Sequence, residues 1–329
     1  MNYKFARAAI AAVAVLTCGS IALAQTKWDF PTACSAANFN SENITEFASD
    51  VDKPTGGKLK TTVHSNASLF KAPEIKRAMQ GGQAQMGEMG DILLVNYQNE
   101  WQMFGADGIP FLADSYDTAW KLYQAQKPVL EKKLREQRIM LLYPEAWPPQ
   151  GIFVKKAIAS AADLKGVKWR AYRPATASIA ELVGAQPVTV QQAELSQAIA
   201  IGVIESYMSS SSTGYNTKTY EYIKNFYDMQ AWLPKNAVLV NKKAFDALDK
   251  PTQDAVLKAG ADAEKQGWAL SKTKNLEYLE LLKKNGMTIH VPSEALKSDF
   301  KRVGDTMLKE WLEKAGPDGQ AVVDAYKNM

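Results

Sequence analysis

The chain has 329 residues, 46% of them hydrophobic, with 39 basic side chains against 35 acidic and a formal net charge of +4. That length exceeds the usual single domain and the apolar content is ample for two cores, so two lobes are expected. Bases and acids are interleaved and no basic run carries regularly placed aromatics, which argues against a nucleic-acid partner.

Residues 1–24 carry Lys4 and Arg7, an apolar run over 8–16, and Ala22-Leu23-Ala24 as a small-x-small cleavage signal. This is the pattern of a secretory leader, too short for a permanent membrane anchor, so the mature chain is expected to begin near Gln25, outside the cytoplasm. Its removal takes two bases and no acid, leaving a net charge of about +2. Cys34 is then the only cysteine, so no intrachain disulfide is expected.

Residues 28–33 read as a strand, 41–51 as a helix capped by Ser41 and stopped by Pro54 and Gly56-Gly57, and 59–64 as a second strand. Pro73 opens a helix that ends at Gly81-Gly82, and 86–89 is a third strand with Asp91 and Ile92 beyond it. From Tyr97 to Leu112 the chain is aromatic and broken by Gly105, Gly108 and Pro110, which predicts short helix and loop. A helix over 115–133 and a strand over 139–143 follow, and the chain leaves through Trp147. There the first crossing between lobes is placed, giving lobe I as 25–146 with 234–274 and lobe II as 147–233 with 275–329.

In lobe II, Val167, Trp169 and Ala171 alternate with Lys168, Arg170 and Tyr172, a strand that ends at an arginine ahead of a helix from Ala175. Ligands of open α/β sheets bind beyond the carboxyl ends of strands, and a guanidinium there can grip a carboxylate bidentately. Arg170 is therefore either a ligand anchor or half of a structural ion pair. Arg173, just before Pro174, is expected at the surface or in an ion pair. A strand over 187–190, a helix over 191–200 and a strand over 203–207 come next. The run from Ser209 to Gly214 reads as a binding loop or a linker, the loop being preferred, and then an aromatic helix holds Tyr215, Tyr220, Tyr222 and Phe226. Residues 237–241 return to lobe I. Residues 251–285 lack an internal proline and can form one helix of about 50 Å, a spine along both lobes, unless broken near Gly260 or Gly267. A strand over 288–291 and two last helices close the chain.

His64 and His290 lie in predicted strands with no metal-ligand spacing, and no H-E-x-x-H, C-x-x-C, G-x-S-x-G or phosphate-cradling motif occurs. Cys34 reads as a small buried residue. No enzyme activity, metal or cofactor is expected, although any two of the 35 acids could meet in the fold.

The mature chain resembles the substrate-binding proteins of tripartite ATP-independent periplasmic (TRAP) transporters. The resemblance rests on Thr55-Gly56-Gly57-Lys58-Leu59, Ile109-Pro110-Phe111-Leu112, the stretch from Leu164 to Arg170, Leu182-Val183-Gly184-Ala185-Gln186-Pro187, and the long helix after Leu248-Asp249-Lys250-Pro251. It implies an α/β, two-lobed periplasmic-binding-protein clamshell with a long helix spanning both lobes, in which Arg170 grips the substrate carboxylate. It also implies a monomer whose partners are a small carboxylate and the TRAP membrane subunits. Sialic-acid-binding members carry a second arginine where this chain has Gln150, an asparagine at Ser209 or Ser210, and a phenylalanine at Gln192.

The expected ligand is a small monocarboxylate with an apolar, aromatic body, such as a 2-oxo or 2-hydroxy acid. Arg170 anchors it; Phe70, Met89, Trp147, Tyr207 and Trp232 form walls; Gln150, Ser209 and Ser210 donate hydrogen bonds. The alternatives are a secreted two-lobed enzyme acting on a small acid and a ligand sensor for a membrane receptor.

Overall fold

The computed structural model describes residues 25–90 and 102–329. The expected leader, Asp91, Ile92 and the start of the aromatic stretch from Tyr97 lie outside the described residues.

Strands β1 (Thr26–Pro31) and β2 (Leu59–His64) pair in parallel around helix α1 (Phe39–Asp52), closing the expected β-α-β unit. Ile44, Phe47 and Val51 line one side of α1 and bury against Trp28, Phe30 and Leu59. The cap is Asn38 rather than Ser41: its side chain accepts from the Asn40 N–H at 2.9 Å, and the helix starts two residues earlier, burying Ser41. After α2 (Ala72–Gln80), strand β3 (Met86–Gly90) lies so close to that helix that a Cβ on Gly87 would come within 2.5 Å of Ile75.

Gln102–Gly108 is a short 3-10 segment. Helix α3 (Tyr116–Glu136) has two working faces: Ala119, Leu122 and Ala125 pack toward Trp169 and Trp311, while Tyr123, Leu130 and Leu134 pack toward Ile139 and Leu239. Strand β4 (Ile139–Ala146) then leads into β5 (Gln150–Val154).

A six-stranded sheet holds β6 (Lys168–Ala171), β7 (Gln186–Thr189), β8 (Ser206–Ser210), β9 (Asn225–Tyr227) and β11 (Thr288–His290) beside β5, in the order β11-β9-β5-β8-β6-β7. Helices α4 (Pro174–Leu182) and α5 (Leu195–Ala200) connect its parallel strands. The serine run is not a loop. Strand β8 ends at Ser210, whose side chain accepts from the Thr213 N–H at 3.2 Å and caps α6 (Ser211–Asn216). Serine hydroxyls that would compete with the backbone in a linker here satisfy a helix start. The expected aromatic helix is likewise divided, into α6, a 3-10 turn at Thr219–Glu221 and strand β9.

Strand β10 (Lys235–Asn241) returns between β3 and β4. The two crossings lie side by side: Trp147 N–H donates to Pro234 O at 2.9 Å and Gln150 N–H to Trp232 O at 2.9 Å. After α7 (Lys242–Asp246), helix α8 (Lys250–Lys284) runs unbroken for 35 residues, about 52 Å. Its Ala263 and Gly267 lie against Asn43, whereas Asn275 accepts from Ser211 and Leu282 enters the core with Phe153 and Tyr207. The β1-β2 and β3-β10-β4 sheets, bridged at Thr32 and Glu88, form one sheet system and the six-stranded sheet the other, and the spine touches both. Helix α9 (Glu294–Lys327) contains a break at Gly316, φ 62°, followed by Pro317, so it is two helices end to end. No helix of the described residues is long and apolar enough to cross a membrane.

Candidate functional site

A cavity of about 130 Å³ opens where β3, the two crossings and the ends of β6 and β8 converge. That is the size class that holds one small ring. The sheet carrying β6 supplies Arg170, Tyr172, Arg173, Gln192, Ser209 and Thr213, the crossings supply Trp147 and Gln150, and the opposite wall holds Cys34, Glu88, Met89 and Asn236.

Arg170 sits at the carboxyl end of β6, 2% exposed, because its strand is covered on both faces. Its Nε donates to Val190 O at 2.9 Å and Nη2 reaches Gln192 Oε1 at 3.5 Å, which aims the head group but leaves donors over. The Tyr172 ring lies 4.4 Å from the Arg170 guanidinium and 5.2 Å from that of Arg173, a ring shared by two cations. Burial holds the pKa of Arg170 below its usual value; the charge of Arg173 adds a smaller push in the same direction, opposed by Tyr172 and Tyr207.

Arg173 corrects the sequence expectation. It is 5% exposed rather than at the surface, stands over the Trp232 ring at 5.5 Å, and its Nε and Nη2 have no hydrogen-bond partner. Neither arginine is paired with a carboxylate among the described residues. A second cation follows from Pro174: the residue before it must be extended, so the chain turns into α4 with Arg173 held against the cavity. The signal available in sequence was that two arginines flank one turn.

The facing wall is acidic. Glu88 Oε2 accepts from Thr32 Oγ1–H at 2.5 Å, and Oε1 accepts from Asn236 Nδ2 and, at 3.8 Å, from Cys34 Sγ. Burial raises the Glu88 pKa, while these hydrogen bonds pull it back. Behind it Glu145 is fully buried with both oxygens unpartnered, and burial, then the Glu88 charge, raise its pKa well above the ordinary value. Burial, then the same two acids, hold the Cys34 thiol protonated. Lys235 also lines the cavity, but a buried ion pair with Asp107 at 2.5 Å neutralises it.

Of the residues expected from sequence, the cavity brings together Arg170, Gln150, Trp147, Ser209 and Met89. The other four are placed elsewhere. Tyr207 lies beneath, its ring 5.9 Å from Arg170 and stacked on Phe153, with its hydroxyl bonded to Thr219. Trp232 backs Arg173, Ser210 is used as a helix cap, and Phe70 packs beside Ile75 and Met79. Of these, only Tyr207 is expected from sequence in a strand; Ser210, expected in a loop, closes β8, and Phe70 and Trp232 lie outside the strands. No group of three or more His, Cys, Asp or Glu among the described residues is placed to hold a metal.

Two sheet systems joined by paired crossings, with buried guanidinium groups facing a small cavity between them, define a solute receptor of the two-lobed type. A family model described as bacterial extracellular solute-binding protein, family 7, matches residues 31–315, and the chain belongs to that family, the receptors of TRAP transporters. It is similar to DctP6, a Bordetella pertussis extracytoplasmic solute receptor binding pyroglutamic acid. The two are 63% identical over 92% of this chain and 100% of that one, with a TM-score of 0.89. DctP7 of the same organism, also a receptor binding pyroglutamic acid, is 40% identical over 92% and 99%, again at 0.89. A marine metagenome TRAP solute-binding protein specific for pyroglutamate is 42% identical over 93% and 99%, at 0.89.

Proposed function

We propose that this chain is a periplasmic receptor for a small cyclic monocarboxylate of the pyroglutamate type, which it delivers unmodified to TRAP membrane subunits. The observation that carries this reading is the pair of buried guanidinium groups, Arg170 and Arg173, that no carboxylate of the described residues neutralises. A buried cation without a partner is costly, and a ligand carboxylate removes that cost. Glu88 offsets one of the two charges, leaving a site complementary to a single negative charge. A carboxylate on an aromatic 2-oxo acid meets the same anchor, but the amides of Gln150, Gln192 and Asn236 suit a lactam better than an arene. The pyroglutamate bound by three relatives at 40% to 63% identity supports this choice.

Closure of 147–233 with 275–329 onto 25–146 with 234–274 is part of this proposal, supported by a cavity to which residues of both ranges contribute. Secretion through a cleaved leader, a monomeric state and the absence of turnover belong to the same proposal. Calorimetry on the purified protein tests it. Pyroglutamate should bind more tightly than phenylpyruvate and far more tightly than succinate, and mass spectrometry should recover it unchanged. Tighter binding of succinate, or a product that accumulates with time, would overturn the reading.

A further inference from the structure

Glu88 is a charged side chain in a five-residue strand otherwise made of Met and Gly, 1% exposed and on the wall opposite the arginines. The groups hydrogen-bonded to its carboxyl in the described structure can all donate to it: the Thr32 hydroxyl, the Asn236 amide and the Cys34 thiol. Three such donors suit a carboxylate. Such a group has about four acceptor sites, so one remains for the cavity.

Among the described residues, the amides of Asn236 and Gln150 already donate within the protein. Asn236 is committed to Glu88 and Cys34, and the Gln150 Nε2 donates to Pro148 O at 2.8 Å. A ligand entering with its carboxylate on Arg170 and Arg173 therefore meets an acceptor on the far wall.

We propose that Glu88 is the specificity-determining residue of the site: it accepts a hydrogen bond from an N–H beside the ligand's carboxylate, and its negative charge excludes dicarboxylates. This rests on the reading of the chain as a receptor for a pyroglutamate-type monocarboxylate. The chemical class selected is a carboxylate bearing a neighbouring neutral N–H, as in a lactam. An ether or ester oxygen in that position sets lone pair against lone pair, and a second carboxylate sets charge against charge.

The test compares L-pyroglutamate with 5-oxotetrahydrofuran-2-carboxylate, the lactone in which ring oxygen replaces the N–H, by calorimetry on the full mature protein. Wild type should bind the lactone about 100-fold more weakly than the lactam. In Glu88→Gln the amide can turn its NH2 to either atom, so the gap should fall below about 10-fold, and succinate should gain affinity as the repulsion disappears. Lactone binding within about threefold of lactam in wild type overturns the proposal, as does a gap that survives in Glu88→Gln. If Glu88→Gln fails to fold, the wild-type lactam-to-lactone ratio decides alone, since it needs no variant. Failure of wild type to bind pyroglutamate at all is a separate outcome that removes the functional reading and this inference together.

Discussion

The two walls of the cavity carry opposite shortages. On the β6 side, Arg170 spends donors on Val190 and Gln192 and lines the cavity, and Arg173 keeps Nε and Nη2 unmatched. On the β3 side, Glu88 is ringed by donors while Glu145 behind it has none. Buried polar groups are normally satisfied within the protein, so a surplus of donors on one wall and of acceptors on the other marks where the protein is completed by something else. The walls also differ in how they are built. The cationic wall comes from one continuous stretch, residues 170–173, whereas Glu88 finds its partners 56 residues away at Thr32 and 148 away at Asn236.

The sharpest break of this contrast is Arg170→Ala, which should weaken ligand binding by about 2 to 5 kcal/mol in calorimetry, with Arg170→Lys recovering only part. Arg173→Met should weaken it by about 1 to 3 kcal/mol. In the absence of ligand, however, the same variant should be more stable than wild type by about 1 kcal/mol in urea unfolding, because it removes an unmatched buried charge. An Arg173→Met protein that loses stability and keeps full affinity would return the residue to the structural role expected from sequence.

On the acidic wall the prediction concerns pH. Glu145 has a folded pKa raised above the ordinary 4.5 by burial, so the folded state holds its proton where the unfolded state has released it. Its contribution to stability should then be fully present below pH 4.5 and be lost as pH rises through the folded pKa. Glu88, shifted in the same direction, contributes a slope of the same sign, so Glu145→Gln should flatten the decline between pH 4.5 and 8 without abolishing it. Urea unfolding across that range measures it. The smallest effect is expected beneath the cationic wall: Tyr207→Phe, which loses the hydroxyl contact with Thr219, should cost about 1 kcal/mol of stability and leave affinity unchanged.

This contrast also sets what could be read from sequence. The alternation of Val167, Trp169 and Ala171 and the proline-free run before Gly286 are local patterns, and β6 and α8 appear where those patterns put them. Arg170 was visible for the same reason. Arg173 was within reach, since its neighbour Pro174 fixes the local backbone, but exposure cannot be read from spacing and its burial depends on Trp232, 59 positions away. Glu88 was out of reach altogether: its significance lies in Thr32 and Asn236, and no periodicity links three strands so far apart. The serine run misled because composition describes what hydroxyls usually do, whereas here Ser210 caps a helix.

Cys34 gives the site one further property. It is the sole cysteine of the described residues, it lines the ligand cavity, and the burial and acids that hold its proton in place also deprive it of nucleophilic character. A thiolate on that wall would attack disulfides and oxidants wherever they met it, and oxidation to a sulfenic acid would plant a bulky polar group in the cavity. Kept as a thiol, it is chemically quiet, and the wall of the cavity keeps a small apolar side chain at that position.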